Sequence, residues 1–312
     1  MQARLRAAAR KMRVGRSPDE HARHVWHVVY PRTKMRLQAL LADKPMREWR
    51  VLDLGCGYHY PLVALLSMEV GHVEGVDIDP VFFRDGWVTT FRCRAASSGV
   101  LRGLKWAGPR RRFYKRYYRV LSELSGRRID HPALSLSHYD GARLPYPDAC
   151  FDAVYSHVVL EHVQDLPRFV SETARVLRPD GAIDMVWHNF FSPTGGHRTA
   201  EQVSKSPWGH LTGAFAPAAD LNRKRPEEMA GVFSETLRVI RLAPLDGEYR
   251  LSEDPGYRPD AGDLLSDEWR ARLAEYPTEL LTSTCYLLQA RKPLQPAARE
   301  HSSVTVPTFR CT

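Results

Sequence analysis

The stretch RVLDLGCGYHYPLVALLSMEVGHVEGVDIDP, residues Arg50 to Pro80, decides how the rest of the chain is read. A short apolar run of Val51, Leu52 and Leu54 carries one acid, Asp53, and breaks into Gly55-Cys56-Gly57. An apolar segment follows from Leu62 to Leu66, then a second β-like run from His72 to Val76 that closes on Asp77. Strand, glycine turn, helix, strand and acid in that order make the βαβ unit of a nucleotide-type pocket. The glycines let the backbone turn tightly and approach a ligand where a Cβ would collide. Asp77 falls at the expected end of the second strand, where a carboxylate can accept hydrogen bonds from two ribose hydroxyls.

Two cofactor classes use such a unit, and glycine spacing separates them. Dinucleotide enzymes require G-x-G-x-x-G; here Gly55 and Gly57 are followed by Tyr58, His59 and Tyr60, so the third glycine is absent. Asp53-Leu54-Gly55-Cys56-Gly57, with its acid two residues before the first glycine, resembles motif I of the class I S-adenosylmethionine (SAM) methyltransferases. Further matches follow in order. Asp140-Gly141-Ala142, Leu144-Pro145-Tyr146-Pro147 and Phe151-Asp152 resemble the family's D-A-x-x-L-P-F-x-D-x-x-F-D pattern. Ser156 to Val163, SHVVLEHV, is similar to its S-x-x-x-L-E-H-V, and Val176 to Gly181, VLRPDG, to its strand-5 turn. One departure is His59, where many members carry a third glycine.

The resemblance implies an α/β, Rossmann-like seven-stranded sheet with an antiparallel last strand, helices on both faces and a basic helical insertion. It also implies SAM as cofactor. Asp53 is expected to position the amino-acid end of SAM, Asp77 the ribose and Asp140 the adenine amino group. Gly141 lets the backbone lie against the ring. Gly55, Cys56, Gly57, Ile78 and Ser156 complete the expected cofactor-binding set.

The chain has 312 residues, 43% hydrophobic and 26% charged, ordinary values for a globular protein with a substantial core. No window approaches the run of about 18 apolar residues that a transmembrane helix needs. MQARLRAAARKMRVGR at the N-terminus has six basic residues, no acid and no apolar core, so it does not read as a secretory signal; it reads as a basic surface helix or disordered arm over residues 1–24, with an Arg-rich, acid-poor organellar transit peptide as the alternative. Five cysteines lack any C-x-x-C spacing, which argues against a zinc or disulfide framework and points to the cytoplasm. The methyltransferase domain is expected over 25–292 and a disordered tail over 293–312. A helix from Val25 to Leu41 is expected to cap the pocket entrance.

After Pro80 the alternation pauses for an insertion of about residues 81–132. Within it Phe113, Tyr114, Tyr117, Tyr118, Leu121 and Leu124 recur at helical spacing, with Arg112, Lys115, Arg116 and Arg119 between them. Arg102 to Arg128 holds ten Lys or Arg and one acid, so it carries an excess equal to the whole chain's +9. That segment reads as an amphipathic lid with a solvated basic face, or as a contact for an anionic substrate, an anionic membrane surface or a nucleic acid. Past strand 5, residues 188–211 are rich in His, Gly and aromatics and aperiodic, so they read as a functional loop more than a packed element. Strands 6 and 7 are expected over Leu237 to Ala243 and Ser283 to Ala290, with an irregular acidic insert between them.

A hydroxyl acceptor needs its proton removed, and histidine titrates near working pH. His188, leaving strand 5 into the pocket, is the first candidate base and His157, just after strand 4, the second; His197 and His210 are further candidates. His162 reads as a packing or hydrogen-bonding residue. His188, His197 and His210 with an acid are too irregularly spaced to predict a metal site, and none is expected. N-P-P-Y, D-P-P-Y and Pro-Cys are absent after strand 4, which disfavours flipped-base chemistry. The expected function is SAM-dependent methyl transfer to a small-molecule or glycan-like acceptor at oxygen. The alternative is a non-catalytic protein of this fold that binds RNA or a membrane surface through the basic insertion.

Overall fold

A computed structural model describes residues 17–259 and 261–294. The chain enters through α1 (Pro18–His24), capped by Ser17, whose hydroxyl accepts the Glu20 N–H while the Glu20 carboxylate accepts the Ser17 N–H. The expected arm is therefore helical over its last seven residues, about two turns, and residues 1–16 lie outside the described residues, as does the tail beyond 294. A wider π-helical segment, Val25–Val29, leads into α2 (Tyr30–Leu40). This helix packs on the sheet instead of merely capping the entrance. Its Arg36 is buried and grips Asp184 with Nε 2.9 Å from Oδ2 and Nη2 3.0 Å from Oδ1.

Next come β1 (Arg50–Leu54), α3 (Pro61–Leu66) and β2 (His72–Asp77), the unit expected from the glycine stretch. The insertion follows as a helical hairpin, α4 (Gly86–Ser98) and α5 (Val100–Ser125). Its halves meet tightly where Gly103 lies against Ala95: a Cβ on Gly103 would sit 2.9 Å from the Ala95 nitrogen. The chain continues through β3 (Ser135–His138), β4 (Phe151–His157), α6 (Leu166–Val176) and β5 (Leu177–His188). It ends with α7 (Ala200–Lys205), α8 (Pro226–Ser234), β6 (Arg238–Leu245), α9 (Asp267–Arg272), α10 (Thr278–Thr282) and β7 (Cys285–Arg291).

The seven strands form one sheet in the order β3-β2-β1-β4-β5-β7-β6, with β7 antiparallel to both neighbours. Period-two alternation distributes its side chains between two cores. Val51, Val73, Ala153, Tyr155, Val186 and Leu287 face the layer that contains α2, α3 and α5. Leu52, Leu54, Val76, Val154, Ile183 and Leu288 face α6 and α8. The RPDG turn lies within β5 as a bulge: Leu177 pairs with Phe151, and Ala182 with Ala153. Asp152 pins the N-terminal edge, its Oδ2 accepting from the Arg50 N–H at 2.7 Å and from Lys44 at 2.8 Å, and its Oδ1 from Arg178 at 2.7 Å.

Tyr117, Tyr118 and Leu121 of α5 are buried as the helical spacing requires. They also account for the missing third glycine. The His59 ring stacks on Tyr114 at 4.6 Å, Tyr58 meets Trp106 edge-on at 5.1 Å, and the Tyr118 hydroxyl donates to the His59 carbonyl. Arg116 adds a two-pronged pair with Asp19 of α1, at 2.7 and 2.6 Å. Residues 188–211 correct the loop reading. The segment is irregular but packed, with Trp208 fully buried, its indole donating to the Leu281 carbonyl at 3.1 Å, in a third core with Ala261, Leu265, Leu273 and Leu281.

Candidate active site

The carboxyl ends of β1, β2, β4 and β5 lie along one edge of the sheet, and the candidate residues gather there. Gly55 and Gly57 have left-handed φ of 84° and 72°. The Gly55 and Cys56 amides both donate to the Val76 carbonyl, at 2.8 and 3.1 Å, which folds the turn against the end of β2. Around Gly57 the space is open: a Cβ there would meet nothing closer than 3.8 Å. Asp77 frames this cradle, its Oδ2 accepting from the Gly57 N–H at 2.7 Å and its Oδ1 from the Asp79 N–H at 2.7 Å. Burial nevertheless raises its carboxyl above the ordinary value. Each oxygen keeps acceptor capacity for a further donor.

Asp53 is buried beneath the turn, and burial pushes its carboxyl up to about 8; the facing Tyr155 hydroxyl opposes that rise and the Asp77 charge reinforces it. A carboxylate in this position gains from a cationic ligand. Asp140 is exposed beyond β3, and its Oδ1 accepts from the Ala142 N–H at 2.7 Å and the Arg143 N–H at 3.0 Å. Those backbone donors hold the carboxyl below its usual range. Between the two acids Ile78 is 66% exposed, with Gly141 beside it in a left-handed turn, φ 80°. An exposed branched aliphatic flanked by two carboxylates suits a flat purine carrying an amino group and a ribose. Open glycine cradle, apolar platform and three acids fit the SAM expected from the sequence.

Two members of the expected set have other tasks. Ser156 is buried and donates its hydroxyl to the Leu54 carbonyl at 2.6 Å, so it ties β4 to β1 just below the turn. The Cys56 side chain packs inward under Gly75, and burial raises its thiol. Only its backbone reaches the turn.

The C-terminal half of the site starts at Val159. Its Cγ2 occupies the place where a Cβ on Gly55 would be, 2.4 Å away from that position. Two residues later Glu161 sits in a 3-10 turn, Leu160–His162, and is 4% exposed. Asn222 clamps this turn: its N–H donates to the Glu161 carbonyl at 2.9 Å, and its side-chain amide to the carbonyls of Leu160 and Val163 at 2.6 and 3.0 Å. Across from it His188, the last residue of β5, places Nδ1 3.0 Å from Glu161 Oε1. That is ion-pair distance, out of line for a hydrogen bond. Burial opposes ionisation of Glu161, but the facing His188 overcomes it and holds the carboxyl below its ordinary value.

His197 joins them, its ring 5.2 Å from that of His188; burial, then His188, bring it down to about 4. The preceding glycines make this approach possible. A Cβ on Gly195 would fall 2.0 Å from the Phe190 carbonyl oxygen, and one on Gly196 2.8 Å from the His210 ring. His157 is at the end of β4 with its ring 4.8 Å from that of Tyr249. His210 is committed to the Phe190 carbonyl through Nε2 at 2.7 Å, and His162 Nδ1 lies 2.8 Å from Asp220 Oδ2. The fold thus brings His188 and His197 together with Glu161, while His210 is engaged by the Phe190 carbonyl. Glu161, legible in the sequence only as a letter of the L-E-H-V motif, is the residue that sequence reasoning missed. A separate cavity of about 520 Å³, lined by Pro18, Gly108, Pro109, Arg112, Phe113 and Arg116, contains none of these groups.

A family profile described as a methyltransferase domain matches residues 115–184, which run from the C-terminal part of α5 through β3, β4 and α6 into β5. That segment is similar to a methyltransferase domain, and the seven-stranded sheet with its antiparallel β7 is the one that the resemblance to the class I SAM-dependent methyltransferases implies.

The chain is 46% identical over 54 residues to a Mycolicibacterium smegmatis protein named "probable S-adenosylmethionine-dependent methyltransferase", a match to 17% of the chain and 21% of that protein. It is 40% identical over 67 residues, 20% of the chain and 24% of the relative, to the 27-O-demethylrifamycin SV methyltransferase of Amycolatopsis mediterranei. The chain spans about a fifth of the length of the first curated relatives it matches. Among solved structures, a SAM-dependent methyltransferase from Mesorhizobium loti superposes with a TM-score of 0.44 at 14% identity, over 81% of this chain and 96% of that one.

Proposed function

We propose that this protein is a SAM-dependent methyltransferase that transfers the methyl group of SAM to a hydroxyl oxygen of a small-molecule or glycan-like acceptor. The observation that carries the proposal is the buried Glu161 carboxylate, two residues along the chain from Val159 on the glycine turn, beside the partly buried His188. SAM, when bound, supplies a methyl group already activated on a sulfonium. The chain's own task is to hold the acceptor oxygen in line and accept its proton. Glu161 is the fixed charge that stabilises His188 once it carries that proton; His157 is the second candidate. The relative from Amycolatopsis mediterranei and a malonyl-[acyl-carrier protein] O-methyltransferase of Halorhodospira halophila, 27% identical over 154 residues, 47% of the chain and 38% of the relative, carry names that lend support to oxygen as acceptor.

The test is incubation with methyl-labelled SAM and a panel of hydroxylated acceptors. Label transfer that His188→Gln lowers by about 10²-fold or more, with SAM affinity kept, supports the reading. Transfer to a nitrogen or carbon, or full transfer by both His188→Gln and His157→Gln, counts against it.

A specific observation favours a membrane surface over RNA as partner of the insertion. At the hairpin tip Val100, Leu101 and Leu104 are 61%, 74% and 43% exposed, with the exposed Arg102 and Lys105 interleaved. Aliphatic residues between cations suit an anionic bilayer interface. No described helix is long and apolar enough to cross a membrane. Co-sedimentation with phosphatidylserine vesicles, lost in Leu101→Asp, tests this contact; binding to RNA alone would point the other way.

A further inference from the structure

The Glu161, His188 and His197 side chains form the only such group among the described residues whose ligating atoms all lie within 4.8 Å of one another. Their arrangement goes beyond what a proton acceptor needs. Both Glu161 oxygens, His188 Nδ1 and His197 Nε2 are buried without a hydrogen-bond partner, and Glu161 is 4% exposed. Buried acceptors are normally paired, because an orphaned carboxylate loses its hydration with no return. Here the atoms without hydrogen bonds face one another, and the Glu161–His188 ion pair at 3.0 Å compensates the burial in part. Three atoms mutually within 4.8 Å share a point about 2.8 Å or less from each, and small side-chain rotations bring that to the bonds of about 2.0–2.2 Å that zinc makes to imidazole and carboxylate.

We infer that Glu161, His188 and His197 bind one divalent transition-metal ion of the zinc class. Two imidazoles and one carboxylate make the three-ligand set of an open site, with a fourth position for water or an oxygen ligand. The supports around the ligands are those such a site uses. Asn222 fixes the Glu161 turn, and the Gly195-Gly196 turn lies flat on Phe190 and His210 to deliver His197. An ion bound there would compete with a proton for His188 and would itself supply Lewis-acid polarisation of an oxygen at the open position. The ion site itself does not depend on methyl transfer.

The experiment is calorimetric titration of the chelator-stripped full chain with zinc chloride, together with cobalt(II) absorption spectroscopy. One ion per chain is expected, with cobalt giving the visible bands of a four- or five-coordinate site. Glu161→Gln and His197→Gln should each weaken zinc binding at least 30-fold, and His162→Gln should retain it. A SAM titration of each variant shows that it is folded. Absence of stoichiometric zinc binding by the wild-type chain, or equal binding by both ligand variants, overturns the inference. A chain that methylates through His188 but takes up no ion also overturns it and leaves the proposed function standing. Ion uptake lost in both variants supports the inference even where no methyl transfer is found.

Discussion

Val159 stands where a side chain on Gly55 would have to go, its Cγ2 2.4 Å from the position of the missing Cβ. Gly55 also has φ of 84°, so a substitution meets backbone strain and a collision together. Gly55→Ala is expected to destabilise the fold by about 2–4 kcal/mol, from strain of about 1–2 and overpacking of about 1–2. Adding Val159→Ala should return only the collision part, which a double-mutant cycle in denaturant measures.

Asp77 holds the Gly57 amide and frames the cradle, so its loss acts twice. Asp77→Ala should weaken SAM binding by about 100-fold or more, equivalent to about 2.7 kcal/mol. Asp77→Asn, which keeps an acceptor for one amide, should lose less. Calorimetric titration of the two variants, with NAD as a decoy, checks the order.

The buried Asp53 carboxyl sits at about 8 in the fold against 3.8 in its ordinary state. A folded-state value raised above the unfolded one contributes stability that is full below about 4 and is lost as pH rises through about 8. Relative to wild type, Asp53→Asn should therefore gain stability steadily from pH 4 to 8. SAM brings a cationic ammonium to this end of the pocket and should pull Asp53 into its charged form. Binding at pH 7 is expected to release a proton, seen as a buffer-dependent enthalpy in wild type and absent in Asp53→Asn.

Arg36 and Asp184 form a buried pair that Gln289 completes, its amide donating to Asp184 Oδ2 at 2.9 Å. Removing one partner strands the other charge. Arg36→Leu or Asp184→Leu should each cost about 3–5 kcal/mol, and the double variant much less than their sum. Chemical denaturation of the three variants reads this out.

What the sequence could show follows from the range of the interactions. Asp53, Gly55, Gly57 and Asp77 lie within 25 residues of one another, and strand, turn and helix there obey local periodicity, so the β1–α3–β2 unit was legible. The same holds for Tyr117 and Tyr118, whose burial follows from helical spacing. The Glu161–His188–His197 group was not legible, because it joins a 3-10 turn, a strand end and a glycine turn across 36 residues with no repeating interval. Irregular spacing argued against a metal cluster, and His210, equally eligible by sequence, is taken by the Phe190 carbonyl. Ser156 matched its motif but spends its hydroxyl on Leu54, a distinction that a pattern of letters does not contain. The 188–211 segment reads as a functional loop more than a packed element in sequence because Trp208 finds its partners at positions 261 to 281.

The aromatic contacts between His59 and Tyr114, and between Tyr58 and Trp106, have a thermodynamic corollary. The cofactor turn and the basic hairpin cannot reposition independently, because the rings that anchor α5 are side chains of the turn itself. A surface that seats the hairpin in one orientation thereby biases the turn, and an occupied turn returns the same free energy to the surface. Were the hairpin to bind a surface, cofactor affinity and surface affinity would be thermodynamically linked.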